Sequence, residues 1–507
     1  MTTLTSKLNT RWILSCLTAF MMIPTVALAK KSNEWGFLPQ ANEAQKSLNQ
    51  ALNQKNYTSA LSQWEAAYGG TQFGASYDGK ASLYLVEFTA GLQVSAIENL
   101  MRLKRPQYIS RSIIKKWMQV APESHLAWRI AHVRWTSPWK RVFPPQFHDL
   151  TQLHSVTYIK NRGQLNKELR EAYAVKGNPQ LKAWKMWQVA LWAPIYNKVD
   201  MALDIFADLE KSKQQIIPQD KIALAKARTL YQAGLLDQAL VAYSEVPRSS
   251  DYWIESLEER AWTHVRQSRQ DRALGDLMTI SAPLFQPQVG PEPYYLIALS
   301  NLMICDYPKV FKNGKQFQKT VRPKLVALQA LSKSPNQPEA LKALELLENG
   351  PYELKTISSV IAKLPRLFYR DEFFTRHMLY RKAMVNEMNL KNQLGLDDSY
   401  VNAKLLADGA EGSRKGALDR LQFLAKKELK EYSQIIQKMH LVEAEVIQRM
   451  YLDDNLKGRR AQKDFDEIKA DSNTMVFPFN SEVWLDEVDN YAVNVKECPK
   501  LDFVAKK

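Results

Sequence analysis

The sequence is poor in cysteine, with three in 507 residues. None forms a CxxC pair, so neither a dithiol redox motif nor a four-cysteine zinc site is written in it. Its seven histidines (His125, His132, His148, His154, His264, His377 and His440) are scattered. His125 and His132 have no acidic or cysteine partner at ligand spacing, and HExxH does not occur, so no metal is expected. GxSxG, a Walker loop and GxGxxG are also absent, which removes the usual signatures of ester hydrolysis, nucleoside triphosphate binding and dinucleotide binding. A catalytic triad assembled across the fold would leave no such trace. Nothing points to one, and we expect neither a cofactor nor an enzyme.

Beyond the first thirty residues there is no uninterrupted run of ~18 apolar residues, so no spanning helix is expected there. Met1 to Ala29 reads instead as a secretory signal peptide. Lys7 and Arg11 supply the positive start, 12–26 the apolar run, and Ala27-Leu28-Ala29 the small-residue cleavage site. An uncleaved anchor is the alternative. Cys16 follows Ile-Leu-Ser as in a loose lipobox, but the apolar run continues past it. The expectation is a periplasmic or exported protein cleaved after Ala29. Export leaves Cys305 and Cys498, which could pair; sequence alone does not place them within bridging distance.

Acidic residues are in deficit, 53 against 69 Lys and Arg, for a formal net charge of +16. Removing Lys7 and Arg11 with the leader leaves +14. In an exported protein this suits anionic phospholipid, lipopolysaccharide or cell-wall polymer better than nucleic acid, and it also serves plain solubility.

One pattern recurs between Trp187 and Phe317. Ala227, Gly234, Leu236, Ala239 and Tyr243 form the template. Thirty-four residues on stand Ala261, Ser268, Gln270, Ala273 and Leu277; 37 further on come Ala298, Cys305, Tyr307, Val310 and Gly314. Thirty-seven residues back are Ala190, Asn197, Val199, Ala202 and Phe206. Each unit sets a small residue on a first helix, a tight turn, and a small residue on a second helix, which lets antiparallel helices approach closely. A helix–turn–helix period near 34 resembles the tetratricopeptide repeat (TPR) family. Gly314 and Gln270 depart from its pattern, standing where an apolar and an aromatic residue are usual. The resemblance implies a mainly α-helical solenoid of antiparallel helix pairs that recognises a protein or peptide along its concave face. Its scaffold positions here are Ala190, Ala202, Ala227, Gly234, Ala239, Tyr243, Ala261, Ala273, Ala298 and Tyr307.

The remaining chain divides as follows. Residues 30–100 hold N-terminal TPR-like units, the first with Leu48, Tyr57, Ala60, Trp64 and Ala67, the second with Gly91, Ala96 and Leu100. Residues 101–164 form a basic, tryptophan-rich helical segment, and 165–330 the central solenoid. Short helices are expected at 325–331, 339–347 and 357–364, and residues 331–470 are helical, with one long helix at 415–451. That helix carries a coiled-coil-like face interrupted by Glu443, suited to packing within the chain or to a partner helix. Residues 471–507, alternating and broken by turns, read as a small β-hairpin-like tail.

The strongest local composition signal lies between Arg102 and Arg141. Arg102, Lys104, Arg105, Arg111, Lys115, Lys116, Arg129, Arg134, Lys140 and Arg141 accompany a single acid, Glu123, and Trp117, Trp128, Trp135 and Trp139 are interleaved. Guanidinium groups grip phosphates and carboxylates, and indoles stack on sugars or cations. Arg111, Lys115, Lys116, Trp117, Arg129 and Arg134 are thus the candidate ligand-binding residues for peptidoglycan or an anionic lipid surface. The alternative is ordinary, with tryptophans filling a core and lysines lining a wet face. Glu123-Ser124 resembles the catalytic pair of soluble lytic transglycosylases in those two residues only. The primary expectation is a non-catalytic envelope scaffold for protein–protein interactions.

Overall fold

The computed structural model describes residues 35–120, 125–133, 135–143, 158–212, 216–283, 285–349, 360–396 and 403–452, with Asp489, Tyr491, Val493, Val495 and Cys498 beyond them. The expected signal peptide lies outside the described residues. Among those described, the chain is mainly helical, with twenty α-helices and no strand. The β-hairpin-like tail expected at 471–507 lies outside the described residues except for those five C-terminal residues, none of which is in a strand. No helix among the described residues is long and apolar enough to cross a membrane.

The chain forms two compact units, residues 1–71 and 72–507. In the first, α1 (Glu43–Asn53) and α2 (Tyr57–Tyr68) pack as a hairpin. Asn42 and Asn56 cap them, each side chain accepting an N–H of the first turn. Leu48, Ala60 and Tyr68 are fully buried.

The second unit begins with α3 (Gln72–Ala75), α4 (Tyr77–Ala90), α5 (Gln93–Arg102), α6 (Arg111–Val120), α7 (His125–Ile130) and α8 (Ser137–Val142). Next come α9 (Arg162–Ala174), α10 (Pro179–Trp192), α11 (Val199–Glu210), α12 (Gln219–Gln232), α13 (Leu236–Ser244), α14 (Trp253–Arg266), α15 (Gln270–Ile280), α16 (Glu292–Met303) and α17 (Tyr307–Lys333). From α9 to α17 each helix packs on the next. The unit ends with α18 (Pro338–Asn349), α19 (Glu372–Gln393) and the fifty-residue α20 (Ala403–Leu452).

Six of the connections share one turn. The backbone is left-handed at Lys55 (φ 60°), Gly91 (109°), Asn197 (57°), Gly234 (79°), Ser268 (60°) and Cys305 (61°). In each case the next residue donates its N–H to the carbonyl five residues back: Asn56 to Ala51, Leu92 to Glu87, Lys198 to Ala193, Leu235 to Leu230, Arg269 to His264 and Asp306 to Asn301, at 2.8–3.0 Å. A residue with a Cβ gives up about 1–2 kcal/mol in this conformation. The turn is kept because it satisfies helix-end carbonyls that would otherwise be orphaned. Five residues after each turn stands a buried residue: Ala60, Ala96, Ala202, Ala239, Ala273 and, larger, Val310. Their counterparts Ala190, Ala227, Ala261 and Ala298 are equally buried, as are Tyr243 and Tyr307.

Both departures from the repeat pattern have a packing reason. A Cβ on Gly314 would lie 2.5 Å from Glu443 Oε1. Gly314 thus makes room for the acid that interrupts the face of α20. Gln270 is buried, and its Nε2 lies 3.3 Å from Met303 Sδ.

Past the repeats the structure is more continuous than the sequence reading. The short helix expected at 325–331 is the end of the 27-residue α17, which runs through Pro323. Helix α20 begins twelve residues earlier than expected and packs along α16, α17 and α19, burying Leu421, Ala425, Tyr432, Met439 and Val446. That burial assigns its apolar face to intrachain packing and offsets the helix-breaking effect of Pro323.

Candidate functional site

The basic segment folds as α6 to α8 around its tryptophans. Trp117 is fully buried and donates its indole N–H to Ala81 O at 3.1 Å. Trp128 meets Trp117 edge-on and stacks on Trp135, while buried Trp139 donates to Met101 O. Trp117 is therefore a core side chain and is not available to stack on a ligand. Arg111 and Lys115 are exposed on the opposite face of α6, and Lys116 is half-buried. Arg129 is half-buried too; burial lowers its pKa, with Glu372 opposing and Arg376 adding to the fall. Arg134, Glu123 and Ser124 lie outside the described residues.

Beside this segment the structure builds a cavity of about 760 Å³ from α5, α19, α20 and the end of α7. Glu98, Arg102, His132, His377, Tyr380 and Asp408 line it, together with Lys404 and Ser413. At its centre the buried Glu98 carboxylate accepts both the backbone N–H and Nδ1 of His132, each at 3.0 Å. Burial disfavours ionisation of Glu98, but those bonds and the Tyr380 hydroxyl outweigh it and hold the carboxyl below its usual value. The same burial and the Glu98 charge push Tyr380 far up, so it stays a donor. His377 is pushed down by burial, then by His132 and Arg376.

Helix α20 can approach α19 closely because it presents glycine there. A Cβ on Gly416 would fall 2.4 Å from His377 Cε1, and one on Gly409 would fall 3.2 Å from the Tyr380 hydroxyl. The result is an imidazole oriented by an ionised carboxylate at a polar wall, a feature shared by binding pockets and proton-transfer sites. Among the described residues, no group of three or more His, Cys, Asp or Glu side chains is placed to hold a metal ion.

Glu387 of α19 fixes one wall by capping α5, accepting the N–H of Val94 at 2.7 Å and of Ser95 at 3.1 Å. Burial pushes its carboxyl up to about 7 from an ordinary 4.5, against those N–H bonds and with help from Glu98. A folded-state value above the unfolded one means that folding favours the protonated acid. That stability is full below 4.5 and is lost as pH rises towards 7, by ~3 kcal/mol. Relative to Glu387→Gln, the wild-type urea midpoint should therefore fall between pH 4.5 and 7.5. Parallel midpoints for the two proteins would refute the coupling.

The sequence reading missed Glu98, His377, Tyr380 and Asp408, which stand on α5 and, far along the chain, on the consecutive helices α19 and α20. The available signal was Gly409, Gly412 and Gly416, small residues one turn apart inside a long helix. No family model matches this sequence, and no curated protein matches it either.

Proposed function

We propose that the chain is an exported TPR scaffold of the bacterial cell envelope, non-catalytic, that binds segments of partner proteins along a helical solenoid. The observation that carries this reading is the six-fold recurrence of one turn, with the same N–H to carbonyl closure and a buried small residue five positions later in five of the six. A fold grown by stacking hairpins exposes long faces with few constraints on their surface residues, which is why such folds serve as binding scaffolds.

A second reading is favoured by the exposed Arg111 and Lys115 on α6, next to exposed Tyr108 and Met118. That face suits peptidoglycan, another anionic polymer or an anionic lipid surface, bound by charge.

Crosslinked pull-down of the chain from Lys30 onward, out of its own envelope fraction, separates the two. The scaffold reading expects one or two defined proteins in near-stoichiometric amount, retained at high salt. Recovery of bulk wall or lipid alone, lost at high salt and on Arg111→Glu/Lys115→Glu/Lys116→Glu, would transfer the function to α6. Recovery of neither overturns both.

A further inference from the structure

The cavity between α5, α19 and α20 is used by neither reading of the function. Its volume of about 760 Å³ lies within the roughly 300–1,000 Å³ of sites that enclose small organic ligands. Two features of its α20 wall ask for an occupant. Glycine is a poor helix former, yet this helix carries three within eight residues, Gly409, Gly412 and Gly416. Contact explains two of them, since Tyr380 and Met384 crowd Gly409 and His377 crowds Gly416. Gly412 has no such reason: nothing stands within 4 Å of an added Cβ, and the residue lines the cavity. Next to it Ser413 is 4% exposed and lines the same cavity, and its hydroxyl has no hydrogen-bond partner among the described residues. A buried hydroxyl is ordinarily paired, so the cavity is where its missing partner belongs.

The charges on the wall say which partner. Glu98 is already answered, by the backbone N–H and Nδ1 of His132 and by the Tyr380 hydroxyl. Arg102 touches it only at 3.9 Å and is more than half exposed, which leaves most of the guanidinium N–H groups unused. Lys404 lines the cavity with no carboxylate paired to it among the described residues. Against these donors and Ser413 stands one further carboxylate, Asp408. The local field is also positive. Burial pushes His377 down, and His132, Arg376 and Arg420 add to the fall against Asp419 alone. Met101 and Leu405 supply an apolar stretch beside the charged groups.

We propose that this cavity binds a small organic oxyanion, a carboxylate or phosphate on a partly apolar body. Arg102, Lys404 and Ser413 hold the charged head, and Met101 and Leu405 lie against the body. The space left by Gly412 admits it. Among the described residues none from α6 or the central repeats lines the cavity, so the site stands whether or not the scaffold reading does.

The test is a ligand-observed NMR titration of the chain from Lys30 onward with phenyl phosphate, benzoate, inorganic phosphate and benzylamine. At least one of the two organic anions should bind saturably, about tenfold or more tighter than benzylamine, and the tighter of the two identifies the head. Inorganic phosphate, which has no body, should bind about tenfold or more weaker than the tighter anion. Gly412→Leu fills the empty space and should abolish binding, with a denaturation midpoint no lower than that of the wild type. Arg102→Ala and Lys404→Ala, both at exposed positions, should each weaken binding by roughly ten- to a hundred-fold, the usual worth of a hydrogen bond to a charged group. Should leucine at 412 unfold the protein, these two variants decide alone. The proposal is overturned if neither organic anion binds saturably, if benzylamine or inorganic phosphate binds as tightly, or if binding is indifferent to the cavity variants. Binding lost instead on Arg111→Glu/Lys115→Glu would place the anion on α6 and overturn it too.

Discussion

Replacing Glu428 with alanine should destabilise the protein by about 3–5 kcal/mol, the expected cost of orphaning a buried charge. Glu428 of α20 lies 3.1 Å from Lys324 of α17, with side chains 5% and 10% exposed. Its second oxygen accepts the backbone N–H of Arg366 at 2.7 Å, and the Arg366 guanidinium donates to Glu431 at 2.5 Å. Burial works against the Arg366 charge, but Glu431, Glu258 and Glu428 together outweigh it and raise its pKa. Gly290 leaves the space for that guanidinium, since a Cβ there would fall 1.8 Å from it. Burial, reinforced by Glu292, Glu259 and Glu431, pushes Glu258 of α14 up to about 8, so α14, α17 and α20 meet around one set of charges.

The alanine variant leaves the Lys324 ammonium buried without its carboxylate. The double change Lys324→Met/Glu428→Leu removes both charges at similar volume and should recover most of the loss, because an ion pair at this depth gains little over packed apolar side chains. Urea unfolding of Glu428→Ala and of the double variant measures this. A double variant as unstable as Glu428→Ala would mean that the carboxylate matters through Arg366 and not through Lys324.

Gly79→Ala should destabilise by about 2 kcal/mol, although alanine is the better helix former by ~1 kcal/mol. Gly79 sits in the first turn of α4, where its N–H donates to the capping Ser76 hydroxyl at 3.0 Å. An added Cβ would fall 2.1 Å from Phe73 O, 2.8 Å from Phe73 C and 2.9 Å from Gly74 Cα. All three are backbone atoms, so no rotamer change relieves the contact, and α3 must move away from α4. Gly412 is the matched control: it lies inside α20 with nothing within 4 Å of an added Cβ. Gly412→Ala should therefore stabilise by ~1 kcal/mol. Denaturation midpoints that move the same way in both variants would show that propensity, and not the α3 contact, decides the outcome at Gly79.

Much of the repeat region was legible before any coordinates. Asn197, Gly234, Ser268 and Cys305 were aligned by spacing alone, and all four adopt the same left-handed turn. The alanines aligned with them are buried without exception. These features are local: a turn is closed by atoms five residues apart, and a small residue recurs wherever one helix must approach the next. Spacing along the chain therefore reports them directly.

Composition misled at Trp117, because an indole that fills a core and one that stacks on a ligand look identical in a sequence. Helix α17 passes through Pro323 because packing against α20 outweighs a local helix breaker. Glu98 meets Tyr380, Lys324 meets Glu428, and Cys305 meets Cys498, all across intervals that no periodicity encodes. The chain by itself determined its helices, their turns and the small residues between them, since short-range hydrogen bonding and steric limits act within one or two turns. Only the tertiary structure decided which charges are buried together, which glycines make room for them and where the C-terminal segment is held, because those depend on which distant helices share a wall.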